Sequence, residues 1–255
     1  MLFDLSHSLY ITISTILTIA LLIVCHFCVK TQKTKDIVLK ISAVLTVIIH
    51  FSSLYIDYFK TGSAKIETTM FLPIYPCNVA MWLLVISAFC KNKKSKIFAY
   101  LGEFTFYLGV VGGIVGILFN EIYSSNPNLL DYGVLKGLLS HSTMLFGCIY
   151  LLVGGYIKIR VKNVASVFLG LLLLLVDGGI IIGIHRLANL EPPNSMYLLN
   201  SPFAGLPWIN TATIGIASLM LVFTITTIVE QLTLKREERW YMQLRNYKKE
   251  KKINE

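Results

Sequence analysis

Charge is what this chain is short of. Only 15% of its 255 residues are Asp, Glu, Lys or Arg, against 55% that are hydrophobic. A soluble domain carries about 25% charged residues, so the shortfall excludes an ordinary soluble globule and fits a chain whose solvent is mostly lipid. The net charge of +9 does not indicate a nucleic-acid partner, because the cations stand in short clusters between apolar runs. The five cysteines, Cys25, Cys28, Cys77, Cys90 and Cys148, are odd in number and lie in or beside apolar runs, which excludes a disulfide framework. The opening MLFDLSHSLY holds an acid and no Lys or Arg. It lacks the positive n-region of a signal peptide, and the first apolar run reads as a retained anchor. There is no internal repeat and no low-complexity segment.

What the chain has is long apolar runs, at about 8–29, 37–57, 70–90, 97–119, 134–157, 164–185 and 208–230. Each meets the roughly 20 residues that a helix needs to cross the hydrocarbon. Nineteen of the 23 Lys and Arg then fall on one side of the alternating connections and the tail. Only Lys60, Lys65, Lys136 and Arg186 fall on the other. This split predicts an all-α polytopic bundle of about seven helices, N-terminus outside and C-terminus cytoplasmic. Residues 1–230 read as one transmembrane unit. Residues 231–255 read as a basic cytoplasmic tail that extends the last helix and rests on anionic lipid headgroups through Trp240, Tyr241 and flanking cations. The glycines of GVVGGIVG, Gly109, Gly112, Gly113 and Gly116, read as a close-packing ridge. They are not a nucleotide loop, which needs a strand before it.

Ionisable groups inside a bilayer are costly and point to function. Counting residues from the nearest span end places Cys77, His141, Asp177 and His50, from four helices, at one depth of roughly 10 Å under the outer face. Cys77 follows two prolines in LPIYPCN. Pro76 suits a first helical position, so Cys77 falls in a first turn, where unpaired N–H groups favour a thiolate. His141 stands between two serines in LLSHSTM. Asp177 can orient a histidine or pair with Arg186, and His50 is a support candidate. His26 between Cys25 and Cys28 resembles a metal or redox pair, but it stands at the inner end of a helix with no second cluster, and a closed metal site needs four ligands, so no metal is expected. The sixth connection, NLEPPNSMYLLNSPFAGLPWIN, is long, apolar and holds four prolines. It can dip into the membrane or cap a cavity.

These motifs carry a resemblance. LPIYPCN, LSHS and NSMYLLNSP followed by PW resemble, in order and spacing, the YwaF-like bacterial integral membrane proteins, which are similar to the eukaryotic transmembrane protein 164 family. The match runs from roughly residue 45 to residue 230. The resemblance implies a multi-spanning acyltransferase that moves fatty acyl chains between phospholipids with a cysteine and a histidine. Those match Cys77 and His141. Asn194, Tyr197 and Pro202 match the later motif. Many relatives have a histidine where this chain has Tyr75.

The expectation is therefore an enzyme of the cell membrane, that of a bacterium, acting on phospholipids without cofactor, metal or nucleic acid. His141 serves as base, Cys77 forms a thioester, and Asn78 or nearby amides bind the oxyanion. A lipase is a close variant. A transporter or small-molecule binder using the same polar cluster is the alternative, which the absence of repeats disfavours. A seven-span receptor has span count alone behind it.

Overall fold

The apolar runs become helices that carry their own start signals. The computed structural model describes residues 3–62, 71–201 and 207–246. In it α1 spans Leu5–Cys28, α2 Gln32–Thr61, α3 Pro76–Phe89, α4 Lys96–Leu118, α5 Glu121–Ser125, α6 Tyr132–Val153, α7 Val164–Leu187 and α8 Thr211–Thr233. Asp4, Thr31, Ser95, Asn120, Asp131 and Asn210 each accept a first-turn backbone N–H, the usual work of small polar residues at an N-cap. α1, α2, α4, α6, α7 and α8 are long and apolar enough to cross a membrane, and α3 is a shorter apolar helix. No strand occurs among the described residues. The protein is a multi-pass helical bundle.

The middle of the bundle is α4 against α6. α2 and α3 pack beside them, α7 lies on α4, and α8 lies on α7. Lipid tails are as apolar as Leu, so helices in a bilayer associate by close packing and not by escape from water. The glycines of α4 provide that packing. A Cβ at Gly109 would sit 2.8 Å from Cys148 Cβ, and one at Gly113 would sit 2.9 Å from Leu145 Cβ, both on α6. α1 is apolar on every side and exposes most of its Leu and Ile, as a lipid-facing helix does. Polar ties hold it at its outer half. His7 Nε2 lies 2.8 Å from Ile117 O, and Tyr10 Oη lies 2.9 Å from Ser142 Oγ.

The third span is shorter than its apolar run. Regular helix begins at Pro76, so α3 covers about 21 Å of the ~30 Å hydrocarbon core. The prolines are the cause, since Pro76 is in place at a first helical position and Pro73 cannot extend a ladder. Non-helical backbone at such depth must be paired within the protein. Here the sixth connection pairs it: Ile74 O accepts Met196 N–H at 2.8 Å and Ser195 Oγ–H at 3.1 Å. Ser195 and Met196 are buried, and Met196 and Tyr197 take left-handed backbone, φ 50° and 57°. Met196 Cγ lies 2.8 Å from where a Gly178 Cβ would be, so only glycine at 178 lets it seat on α7.

At the other end, α8 stops at Thr233 and does not run straight into the tail. Leu234 is extended, a 3-10 turn covers Arg236–Glu238, and residues 240–246 are helical again. Glu230 explains the break. It is 2% exposed, and its carboxylate accepts Val161 N–H at 2.7 Å and Trp240 N–H at 3.1 Å. The chain must fold back to deliver that second donor. The last basic residues, Lys248 to Lys252, lie outside the described residues.

Candidate active site

The same glycine ridge that packs α4 also lies against Cys77 and His141. A Cβ at Gly112 would lie 3.7 Å from Cys77 Cα and 3.8 Å from its Cβ. A Cβ at Gly116 would lie 2.7 Å from His141 Cγ and within the space of Cδ2 and Nε2. Residues 112 and 116 are one turn apart on one side of α4, about 6 Å along its axis. Cys77 from α3 and His141 from α6 are therefore seated on the same face of the same helix, on adjacent turns. Both lie toward the end that the Lys and Arg distribution assigns to the outer side.

His141 is fixed in one tautomer. Its Nδ1 lies 2.7 Å from Gly137 O, and a carbonyl only accepts, so Nδ1 carries the hydrogen in the neutral ring. Nε2, over Gly116, then holds the lone pair. Asn120 braces this seat from behind. It is buried, donates from Nδ2 to Gly116 O at 3.2 Å, and lies 3.3 Å from where a Gly137 Cβ would be.

Cys77 is the second residue of α3, half-buried, and its Sγ–H donates to Asn78 Oδ1 at 3.4 Å. Asn78 itself is buried. The backbone N–H groups of Asn78 and Val79 already donate to Tyr75 O, at 3.0 and 3.2 Å. Those two amides are spent, which leaves the Asn78 side-chain amide as the stronger donor candidate. Tyr75, just before the helix, stacks at a tilt on Tyr197, centroids 5.4 Å apart. Asn194 organises the loop that carries Tyr197: its Oδ1 accepts Leu199 N–H and Asn200 N–H, each at 3.0 Å, and its Nδ2 donates to Asn200 O at 2.9 Å. Pro202 lies outside the described residues.

The other two expected members lie on α2 and α7. His50 on α2 lies edge-on to Phe51. Asp177 on α7 has a buried Oδ2 without a hydrogen-bond partner among the described residues, and its neighbour Gly178 is covered by Met196 and Leu198. The position that would orient the imidazole is taken by Gly137 O. Residues that reading the sequence did not single out are Asn120, Ser195 and Gly116 as a ring seat. Asn120 had one signal, a polar N-capping type directly after an apolar run.

The family model described as TMEM164 family matches residues 2–231. No curated protein and no solved structure matches the chain.

Proposed function

The chain belongs to the TMEM164 family, and from that premise we propose that it is a phospholipid acyltransferase working through Cys77 and His141 at the outer half of the membrane. The observation that carries the reading is the pair of seats on α4: Gly112 under Cys77 and Gly116 under His141.

The steps follow from the groups. His141 Nε2 takes the Cys77 proton, and the thiolate attacks the carbonyl carbon of a lipid acyl ester. The tetrahedral oxyanion is held by the Asn78 side-chain amide. Collapse breaks the C–O bond, and His141 returns the proton to the departing lysolipid oxygen. The acyl chain is then a Cys77 thioester. A second lysolipid hydroxyl gives its proton to His141 and attacks the thioester, and the ester and the thiol are restored. Water in place of the second lysolipid makes the reaction a hydrolysis. The Ser195–Tyr197 segment over Ile74 and Tyr75 covers the approach to Cys77 and keeps water scarce. Membrane phospholipids are thus donor and acceptor, and the cations after Glu230 rest on anionic headgroups on the other side.

The test is transfer in purified protein from a phospholipid with an isotopically labelled acyl chain to an unlabelled lysolipid. Loss of labelled product in both Cys77→Ala and His141→Ala supports the reading. Full-rate transfer by both variants ends it.

A further inference from the structure

α1 has one buried residue, and it is a histidine. The helix turns its Leu and Ile outward, yet His7 is 0% exposed. Its ring lies between those of Tyr123 and Phe3, with centroids 4.5 and 5.6 Å away. Phe3 N–H donates to Nδ1 at 3.1 Å. Nδ1 therefore holds the lone pair and Nε2 carries the hydrogen, so the 2.8 Å bond runs from Nε2 to Ile117 O. A polar ring inside an apolar bundle is costly and calls for a reason.

The reason is where the bond lands. α4 ends at Leu118, and the last carbonyls of a helix have no partner within it. His7 Nε2 takes Ile117 O and Asn120 Nδ2 takes Gly116 O. Gly116 is the residue under the His141 ring, and Ile117 is its direct neighbour. The two donors are joined: Asn120 Oδ1 accepts Tyr123 N–H at 2.9 Å, and the Tyr123 ring is stacked on His7. Tyr10 stands three residues after His7, on the same side of α1. Its hydroxyl lies 2.9 Å from Ser142 Oγ. Ser142 spends its own hydrogen on Leu138 O at 3.0 Å, so Tyr10 is the donor. Ser142 is the next residue after His141 on α6. One turn of α1 therefore grips α4 beside the glycine seat and α6 beside the ring.

We propose that His7 and Tyr10 are positioning residues for acyl transfer: together they clamp α4 to α6 and hold the His141 imidazole on Gly116. The inference rests on the Cys77 and His141 reading and gives α1, a helix otherwise turned to lipid, a part in the reaction. Neither side chain is hydrogen-bonded to the ring. They act through the two backbones that carry the ring and its seat. When those backbones part, the space over Gly116 opens. The ring then turns away from Gly137 O, and the tautomer that this carbonyl fixes is no longer imposed.

The full chain with nitrogen-15-labelled histidine is taken in liposomes as wild type, His7→Phe, Tyr10→Phe, the pair of these, and His7→Gln. Solid-state NMR reads the ring nitrogens. The chain has five histidines, and the signal lost in His141→Gln is that of His141. In wild type it is one tautomer, with the hydrogen on Nδ1. In His7→Phe, in Tyr10→Phe and in the pair the Nε2–H form appears beside it. Transfer from an acyl-labelled phospholipid is measured on the same samples. kcat falls about tenfold in each single variant and about a hundredfold in the pair, the scale of a misplacement of about 1 Å, while KM is unchanged. His7→Gln keeps an N–H donor at the reach of Nε2 and recovers most of the rate. Tyr10→Phe removes a single hydroxyl, so it gives an answer even where His7→Phe fails to fold. Wild-type kcat and a single tautomer in Tyr10→Phe, beside an inactive Cys77→Ala, overturn the clamp and leave the chemistry standing. A lower rate with the tautomer unchanged and no recovery in His7→Gln marks a merely structural role and overturns it as well. Full-rate transfer by Cys77→Ala and His141→Ala ends the acyl-transfer reading itself, and the positioning role with it.

Discussion

Gly116 is the floor under the His141 imidazole: a methyl group at 116 would fall 2.7 Å from the ring's Cγ and into the volume of Cδ2 and Nε2. Gly112, one turn away, stands differently toward Cys77, at an ordinary 3.7 Å. The two glycines look alike in the sequence but have unlike consequences.

Gly116→Ala displaces the ring, because α4 and α6 are too closely packed to part. Misplacing a catalytic group by about 1 Å costs on the order of a hundredfold in rate. Overpacking adds about 1–3 kcal/mol of instability. Gly112→Ala finds room, gains up to ~1 kcal/mol of helix propensity, and keeps transfer within about twofold. The paired transfer assay on the two variants, with thermal midpoints, checks both halves.

Ser195→Ala removes one of the two hydrogen bonds on Ile74 O. The expected loss is about 1 kcal/mol of stability. The Ile74–Tyr75 segment before Cys77 loosens, so the thiol reacts faster with a maleimide. A labelling rate equal to wild type would show that the loop does not guard Cys77.

Glu230→Gln keeps the shape but turns an amide N–H2 toward one of two backbone donors. A buried donor left unpaired costs about 1–3 kcal/mol. The fold-back of the tail is the part that yields. Limited trypsin digestion then cuts at Arg236 and Arg239 several-fold faster than in wild type, about the scale of 1 kcal/mol. Unchanged cutting would mean that Glu230 does not hold the tail.

Asp4, just before α1, gives a pH dependence. Its carboxyl sits below the usual 3.8, first because the His7 backbone N–H and then because the Tyr123 hydroxyl donates to the charged form. A lowered folded value means that the folded state binds fewer protons. The cap's contribution is full above 3.8 and is lost as pH falls through the lower folded value. Amide protection at residues 5–8, corrected for intrinsic exchange, should hold at about pH 6 and fall below about pH 4. Asp4→Asn should flatten that curve.

Topology was legible because it rests on additive signals. Apolar length reports spans without tertiary contacts, and Asp131 and Ser95 mark helix starts by type alone. Pro73 and Pro76 carried the start of α3, which the length of the apolar run obscured by starting at about residue 70. The site was legible only by depth. Depth put Cys77, His141, His50 and Asp177 on one level, but azimuth decides which side chains meet, and azimuth is set by packing. Gly112 and Gly116 contained that information as a ridge, yet a ridge does not name what rests on it. Nor can spacing reveal that Ser195, more than a hundred residues on, pairs with Ile74, or that Asn120 braces the seat of His141. Glu103 and Glu230 escaped notice for the same reason: their partners, Asn163, Val161 and Trp240, lie in loops and a tail whose fold-back no local pattern announces.

The central claim is that the acyl chain passes through Cys77, and intact-mass and peptide mass spectrometry of the protein mixed with an acyl-labelled phospholipid tests it most directly. The account predicts one labelled acyl group as a hydroxylamine-sensitive thioester on the peptide holding Cys77. That label should be absent in Cys77→Ala and at least about a hundredfold slower to form in His141→Ala, the low end of general-base contributions. Transfer that proceeds while Cys77 stays unlabelled, or label that forms as fast without His141, contradicts it.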